Sequence, residues 1–393
     1  MSAATAKLLH LAGAHLGSTV WGRSRVQRTR LRDALETALM RAVEYAVRED
    51  VDAVLVAGDL YDAEHLSLNL EKFLVEQIQR LHEAGLPVVA VAGATDADDD
   101  GPVGPDSFYR IGSDDAEIID LRDAAAPAPL RVIGKGHPAG EDFAVSAEEA
   151  DVPTVGLLYA PELEVGTEET ELPEAKVAYW ALGGAHRREC IASDPAAWQA
   201  GSLMGRWPDE PGPRGGLLVT VQPDEPPDVA PRDFAPLTWK TLRFRNLEDV
   251  DTRDGLRRRV LERLPARRGS LMLRLVLEGP CPLASTLADP DQRRAWEEPL
   301  ANRLGVVAVC LDASDLVAAT EPEPYHDETH VLAETLELMD ASEEELYDLR
   351  PDLLAGRPED MDRRAYLGEL LRGLDREAVE QLLAVPNETS SAA

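Results

Sequence analysis

The sequence predicts an α/β fold, and two observations carry that prediction. Short apolar runs at residues 51–57 (VDAVLVA) and 86–92 (LPVVAVA), bounded by Gly, Asp and Pro, have the length and composition of buried strands. Residues 31–48 (LRDALETALMRAVEYAVR) carry apolar side chains three and four apart, the spacing that gives a helix one buried face. Strand, helix, strand, helix, strand is the order of an α/β unit.

The remaining elements follow in order. Residues 98–106 (DDDGPVGPD) and 124–130 (AAAPAPL) read as loops, and short strands are expected at 130–133 and 155–159. Pro-rich residues 222–236 (QPDEPPDVAPRDFAP) read as the exit from the first domain, with a boundary near 232. Beyond it come a basic helix at 253–263 and strands at 271–277 and 305–311. From 321 the chain reads as acidic helices broken at Pro351 and Pro358, and Tyr366, Leu367, Leu370, Leu371 and Leu374 form an apolar stripe. The expected organisation is therefore 1–232, 233–320, a helical segment at 321–386 and a disordered tail at 387–393.

A length of 393 residues suits two or three domains, and 44% hydrophobic content fits a folded globular chain. No apolar stretch approaches the ~20 residues of a membrane-spanning helix. The N-terminal run at 8–14 is short and broken by His10, so no export signal is read and a cytoplasmic location is the expectation. Cys190, Cys281 and Cys310 are few and far apart, which argues against a disulfide framework or a structural zinc site. The net charge of −33 argues against generic nucleic-acid binding, which needs clustered cations, but leaves room for a local basic groove. With only Lys7, Lys72, Lys135, Lys176 and Lys240 among 40 basic residues, the balance resembles that of a protein adapted to high salt.

Four motifs carry the chemistry: Gly13-Ala14-His15-Leu16-Gly17, Gly58-Asp59-Leu60-Tyr61-Asp62, Gly93-Ala94-Thr95-Asp96 and Leu182-Gly183-Gly184-Ala185-His186. Each stands where an apolar strand ends and the chain turns at glycine, the place where α/β enzymes present ligands. In order and spacing the series resembles the calcineurin-like metallophosphoesterases, and within them the SbcD-like DNA-repair exonucleases, over roughly residues 7–245. Residues 67–87 fit the helix between the second and third motifs, 178–183 the strand into the last, and 201–206 (GSLMGR) the turn after it. The resemblance implies a sandwich of two mixed β-sheets flanked by helices, a small α/β capping domain and C-terminal helices that dock on an SMC-like, SbcC-like ATPase.

Family members hold two divalent cations through Asp-x-His, Gly-Asp-x-x-Asp, Gly-Asn-His-Asp, a lone His and Gly-His-x-His. Carried over residue by residue, Asp59 matches the bridging carboxylate, His15 the first-motif His and His186 the last His. Five matched positions differ: Gly13 stands for Asp, Ala94 for Asn, Thr95 for the catalytic His, Tyr159 for the lone His and Gly184 for the other His. His15, Asp59 and His186 would leave one cation three protein ligands, and two histidines with a carboxylate can hold a single transition metal. The resemblance thus implies one Mn2+ or no metal at all. Without the second cation and the proton donor, hydrolysis loses its clamp and its acid; such a donor is worth ~100- to 10,000-fold in rate.

Arg23, Arg25 and Arg28 follow the first motif, Arg187 and Arg188 follow His186, and Arg206 lies beyond, a set that would draw a DNA backbone to the old site. The sequence reading is a degenerate SbcD-like subunit that binds DNA ends or assembles with an SMC-like ATPase. A homodimer is a further expected assembly, and a membrane is not expected as a partner. Two other readings stand beside it: a single-metal phosphodiesterase acting on DNA, and a scaffold that binds only protein.

Overall fold

The computed structural model describes residues 5–97, 101–112, 115–121, 129–137, 152–163, 172–173, 175–222 and 225–319, together with 366, 375, 376, 378 and 379. Apart from those five residues, the expected helical segment at 321–386 lies outside the described residues, as does the tail expected at 387–393. The chain divides into two compact units, one of residues 1–240 with 270–272, the other of 241–269 with 273–393.

In chain order the first unit contains β1 (Ala6–Leu11), α1 (Arg25–Glu49), β2 (Ala53–Ala57), α2 (Leu68–Glu83), β3 (Val88–Val91), β4 (Phe108–Ile111), β5 (Glu117–Asp120), β6 (Arg131–Lys135) and β7 (Thr154–Tyr159). It continues with β8 (Tyr179–Gly183), β9 (Glu189–Ser193), β10 (Ala196–Gln199), β11 (Gly215–Gln222) and β12 (Glu225–Asp233). These strands make two six-stranded sheets, ordered β12-β11-β1-β2-β3-β4 and β5-β6-β7-β8-β10-β9. Both are mixed: β1 pairs in parallel with β2 and antiparallel with β11, and β7 pairs in parallel with β8 while β10 pairs antiparallel with β9. The predicted α/β sandwich of two mixed sheets is therefore the fold of this unit.

Strand alternation explains the layers. Leu8, Leu55, Val89 and Val91 turn inward and join Val155, Leu157, Tyr179 and Ala181 of the second sheet in one buried cluster. Leu9, Leu11, Val54, Val56 and Val88 face the other way, toward Leu39, Val43, Leu74, Ile78 and Leu81 of α1 and α2. Buried on both faces, β2 shows no polar alternation, which is why it reads as a continuous apolar run. The helix expected at 31–48 starts earlier, at Arg25, because Ser24 and Gln27 form a reciprocal capping box.

Residues 222–236, which read as a linker, instead contain strand β12. It lies at the sheet edge and pairs with β11, Leu217 opposite Pro231 and Val219 opposite Val229. Pro226, Pro227 and Pro231 lack the N–H that a central strand requires, but an edge strand has one side with no partner to serve.

The second unit is built on a three-stranded sheet, ordered β13 (Thr238–Phe244), β14 (Leu271–Pro280), β15 (Ala308–Val317), with α3 (Arg253–Glu262), α4 (Ala284–Ala288) and α5 (Pro290–Leu304). The basic stretch on and after α3 is largely tied locally: Arg257 meets Asp254 at 3.3 Å and Arg259 meets Asp249 at 2.7 Å. Arg263 donates to the Arg243 carbonyl and stacks on Phe244. No helix among the described residues is long and apolar enough to cross a membrane.

Candidate functional site

The four motifs converge because parallel strands deliver them to one edge. β1, β2 and β3 end just before His15, Asp59 and Thr95, and β7 and β8 of the facing sheet end at Tyr159 and just before His186. The loops are pinned to one another through the main chain: His15 N–H donates to the Asp59 carbonyl at 2.9 Å, Ala63 N–H to Thr95 at 3.0 Å, Ser202 N–H to His186 at 3.1 Å and Leu203 N–H to Gly13 at 3.1 Å. His15 and Asp59 both adopt left-handed backbone, φ +46° and +53°. Side chains rarely take that conformation, and where it occurs the surrounding structure holds it, most often at functional sites.

Asp59 is buried at 3% exposure and its oxygens are already engaged by protein donors. Thr95 N–H donates to Oδ1 at 2.9 Å, and the Tyr159 hydroxyl donates to Oδ2 at 2.9 Å. The Thr95 hydroxyl lies 3.0 Å from Oδ1 and 2.7 Å from the Tyr61 carbonyl, and its single proton serves one of them. Burial first, and then the adjacent Asp59 charge, push the Tyr159 hydroxyl well above its ordinary pKa, so it remains a donor at neutral pH. Thr95 and Tyr159 thus supply the groups that hold the Asp59 carboxylate.

His186 is anchored differently. Its Nδ1 lies 2.6 Å from Glu210 Oε1, and its Nε2 lies 3.4 Å from Arg206 Nη2. The other Glu210 oxygen accepts the Arg206 main-chain N–H at 2.6 Å. Burial alone would raise the Glu210 carboxyl, but these bonds and the neighbouring cations outweigh it and bring it down to about 2. Arg206 is 8% exposed, with Nη1 on the Ser18 hydroxyl at 3.1 Å. Desolvation lowers its pKa, while Glu210, Asp59 and Asp62 act to keep it charged.

His15 is 2% exposed, and its ring meets that of His186 edge-on at 5.3 Å between centroids. Its Nε2 lies 3.9 Å from Asp59 Oδ2, beyond hydrogen-bond reach, and neither ring nitrogen has a hydrogen-bond partner. Burial and the nearby Arg206 hold it at about 4, with Asp59 opposing them, so the ring is neutral at pH 7.

The structure therefore brings His15, Asp59 and His186 to one place, together with Thr95, Tyr159, Gly13 and Gly184. His15 has the free nitrogens that a metal ligand needs. The rest of the donor set does not fit a cation: Asp59 is engaged by donors, and a guanidinium stands at the one nitrogen of His186 that Glu210 leaves open. Asp96 offers no substitute, since its oxygens accept from Gly93 N–H at 2.6 Å and Leu60 N–H at 2.9 Å. Among the described residues no three His, Cys, Asp or Glu side chains are arranged to hold a metal ion.

Of the arginines, Arg25 and Arg187 are exposed. Arg23 stacks on Trp21, and Arg28 donates to the Gly22 carbonyl at 2.8 Å. Arg188 pairs with Asp233 at 3.1 Å, and Arg206 belongs to the buried site itself. Sequence reasoning missed Glu210 and the Ser18 contact. Glu210 lies in a turn between Pro208 and Pro211 with no periodic or motif signal, and only the folded turn shows that it faces His186.

Residues 9–147 match the family model for calcineurin-like phosphoesterases. Over 246 residues the chain is 25% identical to the uncharacterized metallophosphoesterase YhaO of Bacillus subtilis, covering 54% of this chain and 57% of that protein. It is 39% identical over 90 residues to the DNA double-strand break repair protein Mre11 of Aeropyrum pernix, covering 23% of this chain and 21% of that one. To the SbcD component of the SbcCD nuclease of Bacillus subtilis it is 33% identical over 95 residues, covering 24% and 22%. The chain thus spans 57% of the first relative's length and 21% and 22% of the other two. The matched segment and the two mixed sheets together make the first unit of this chain similar to the calcineurin-like phosphoesterases.

Proposed function

We propose that this protein is an SbcD-like subunit that keeps the metallophosphoesterase scaffold for binding DNA ends and for assembly with an SMC-like ATPase, with phosphodiester hydrolysis lost or nearly so. One observation carries the reading: protein donors, Thr95 on one oxygen and Tyr159 on the other, already engage both oxygens of Asp59 that a bridging metal pair would need. Two-metal hydrolysis needs that carboxylate open to both cations and a donor for the leaving oxygen. Thr95, with its hydroxyl turned to Asp59 and the Tyr61 carbonyl, supplies no such acid. Similarity to Mre11 and SbcD segments supports the DNA and ATPase roles, and exposed Arg187, next to His186, supports a phosphate-facing surface.

The test is turnover of a model phosphodiester with Mn2+, beside the His15→Ala variant. Turnover no higher than that of the variant is expected. Manganese-dependent hydrolysis abolished by His15→Ala would replace this reading with a single-metal phosphodiesterase, the one alternative that the unpartnered His15 ring favours.

A further inference from the structure

We propose that the first unit binds a phosphoryl oxyanion without any divalent cation, the Arg206 guanidinium taking the metal's place. The inference rests on the eroded-site reading above and names the ligand chemistry of that same site.

The backbone has closed over two of the altered positions. Gly13 sits at φ +52°, and a Cβ there would lie 3.2 Å from Ser202 Cα and 3.3 Å from His15 Nε2. Gly184 sits at φ +103°, and its Cβ would come within 2.7 Å of the Pro161 nitrogen. Neither an Asp at 13 nor a His at 184 can return without moving main chain, so a metal site is not one substitution away.

What occupies the space is a fixed cation. Arg206 is held at both ends, its main-chain N–H on Glu210 and its Nη1 on Ser18, with Nη2 against His186. A metal approaching His186 Nε2 would meet positive charge at 3.4 Å; an anion would meet attraction. Unmet donors on two deeply buried side chains point the same way, Arg206 Nε and the one nitrogen of the neutral His15 ring that carries its proton. Arg206 Nε and both nitrogens of His15 are buried without a hydrogen-bond partner, on residues 8% and 2% exposed. Buried groups of this kind are normally satisfied, and their exceptions call for a ligand or solvent. An arginine N–H can only donate, so its missing partner is an acceptor.

The surroundings suit an oxyanion. Asp59 and Glu210, the nearest acids, already accept bonds from Thr95, Tyr159, His186 and Arg206. A polar groove of about 610 Å³ opens beside them, lined by His186, Arg187 and Arg214 and also by Glu189, Asp209 and Glu210, so its cationic side is the one that would face an anion. Arg214 is 7% exposed and donates to the Ser202 hydroxyl at 3.1 Å; burial first, and then Arg187 and Arg188, lower its pKa, while Glu210 and Asp209 support its charge. Arginine forks match the oxygens of a phosphate, and a terminal phosphate presents three.

The experiment titrates inorganic phosphate into the full chain in EDTA, read by calorimetry and by ¹⁵N-histidine resonances. Saturable binding is expected, unaltered by the chelator and weakened about tenfold or more in Arg206→Gln. Arg206→Lys, which keeps the charge, should retain most of it; if Arg206→Gln fails to fold, Ser18→Ala, which frees Nη1, is expected to weaken binding in its place. A 5′-phosphorylated oligonucleotide that binds more tightly than its 5′-hydroxyl twin assigns the anion to a DNA end, and equal binding assigns it to free phosphate. No phosphate binding in EDTA, binding that appears only with Mn2+, or a folded Arg206→Gln variant that binds as the native protein does would overturn the inference. Loss of phosphate binding with duplex binding intact defeats this inference alone, and phosphate binding without any DNA affinity defeats only the DNA role proposed above.

Discussion

At the scale of single residues, burial decides what each histidine does. His10 sits fully buried between the sheets, with Nδ1 2.9 Å from the Tyr179 hydroxyl and Nε2 3.1 Å from the Leu182 carbonyl. Burial drives its pKa down from the ordinary 6.5 to about 3, against a small opposing pull from that carbonyl. The unfolded chain therefore binds a proton at this residue in a range where the folded one does not. Its contribution to stability is whole above pH ~6.5 and declines as pH falls toward ~3. Urea denaturation of the native protein and of His10→Asn at pH 7.5 and pH 5 should show their stability difference narrowing at the lower pH; a constant difference would mean that His10 does not titrate as described. His10 was legible in the sequence only as an interruption of an apolar run. Thr95 and Tyr159 were legible as departures from a metal-binding pattern, whereas their role as donors to Asp59 was not. Residue type reveals what a position has lost, and only the fold shows which neighbour its new side chain reaches.

Among elements, periodicity was a sound guide wherever one face is buried, and composition misled where a strand lies at an edge. The body of α1 was plain from Leu31, Leu35, Ala38, Leu39 and Ala42, all buried. Its start was not, because residues 25–30 carry Arg25, Arg28 and Arg30 with a single, exposed apolar residue, Val26, and the cue is the pair Ser24 and Gln27. Their reciprocal bonds satisfy N–H groups that the first turn leaves open, and the Ser24 hydroxyl accepts from Gln27 N–H at 3.3 Å. Ser24→Ala is expected to cost about 0.5–2 kcal/mol in denaturant unfolding, with α1 fraying back toward Leu31 in hydrogen exchange. Unaltered exchange at residues 25–30 would show that the cap does not hold this turn. Strand β12 is the opposite case: three prolines in nine residues signal a linker, and the sheet accepts them only because no further strand pairs on its outer side.

For the molecule as a whole, the balance of 40 basic against 73 acidic residues sets two salt responses in opposite directions. Self-repulsion among the acids opposes the compact state, and added salt screens it, so the melting temperature should rise as KCl increases from 0.1 M toward molar concentrations. Affinity for DNA should fall over the same range, because each phosphate neutralised by an arginine releases a counterion. The steepness of that fall is a count of contacts. Arg28 is partly committed to the Gly22 carbonyl and Arg188 to Asp233, while Arg187 stands exposed next to His186. On so acidic a chain, the logarithmic slope for duplex DNA is expected to be shallow, about −2 to −4. Arg187→Glu should reduce its magnitude by about one while leaving the salt dependence of melting unaltered. A slope near zero, or an Arg187→Glu variant that binds DNA as the native protein does, would remove the phosphate-facing surface from the proposal and leave a scaffold that recognises protein alone.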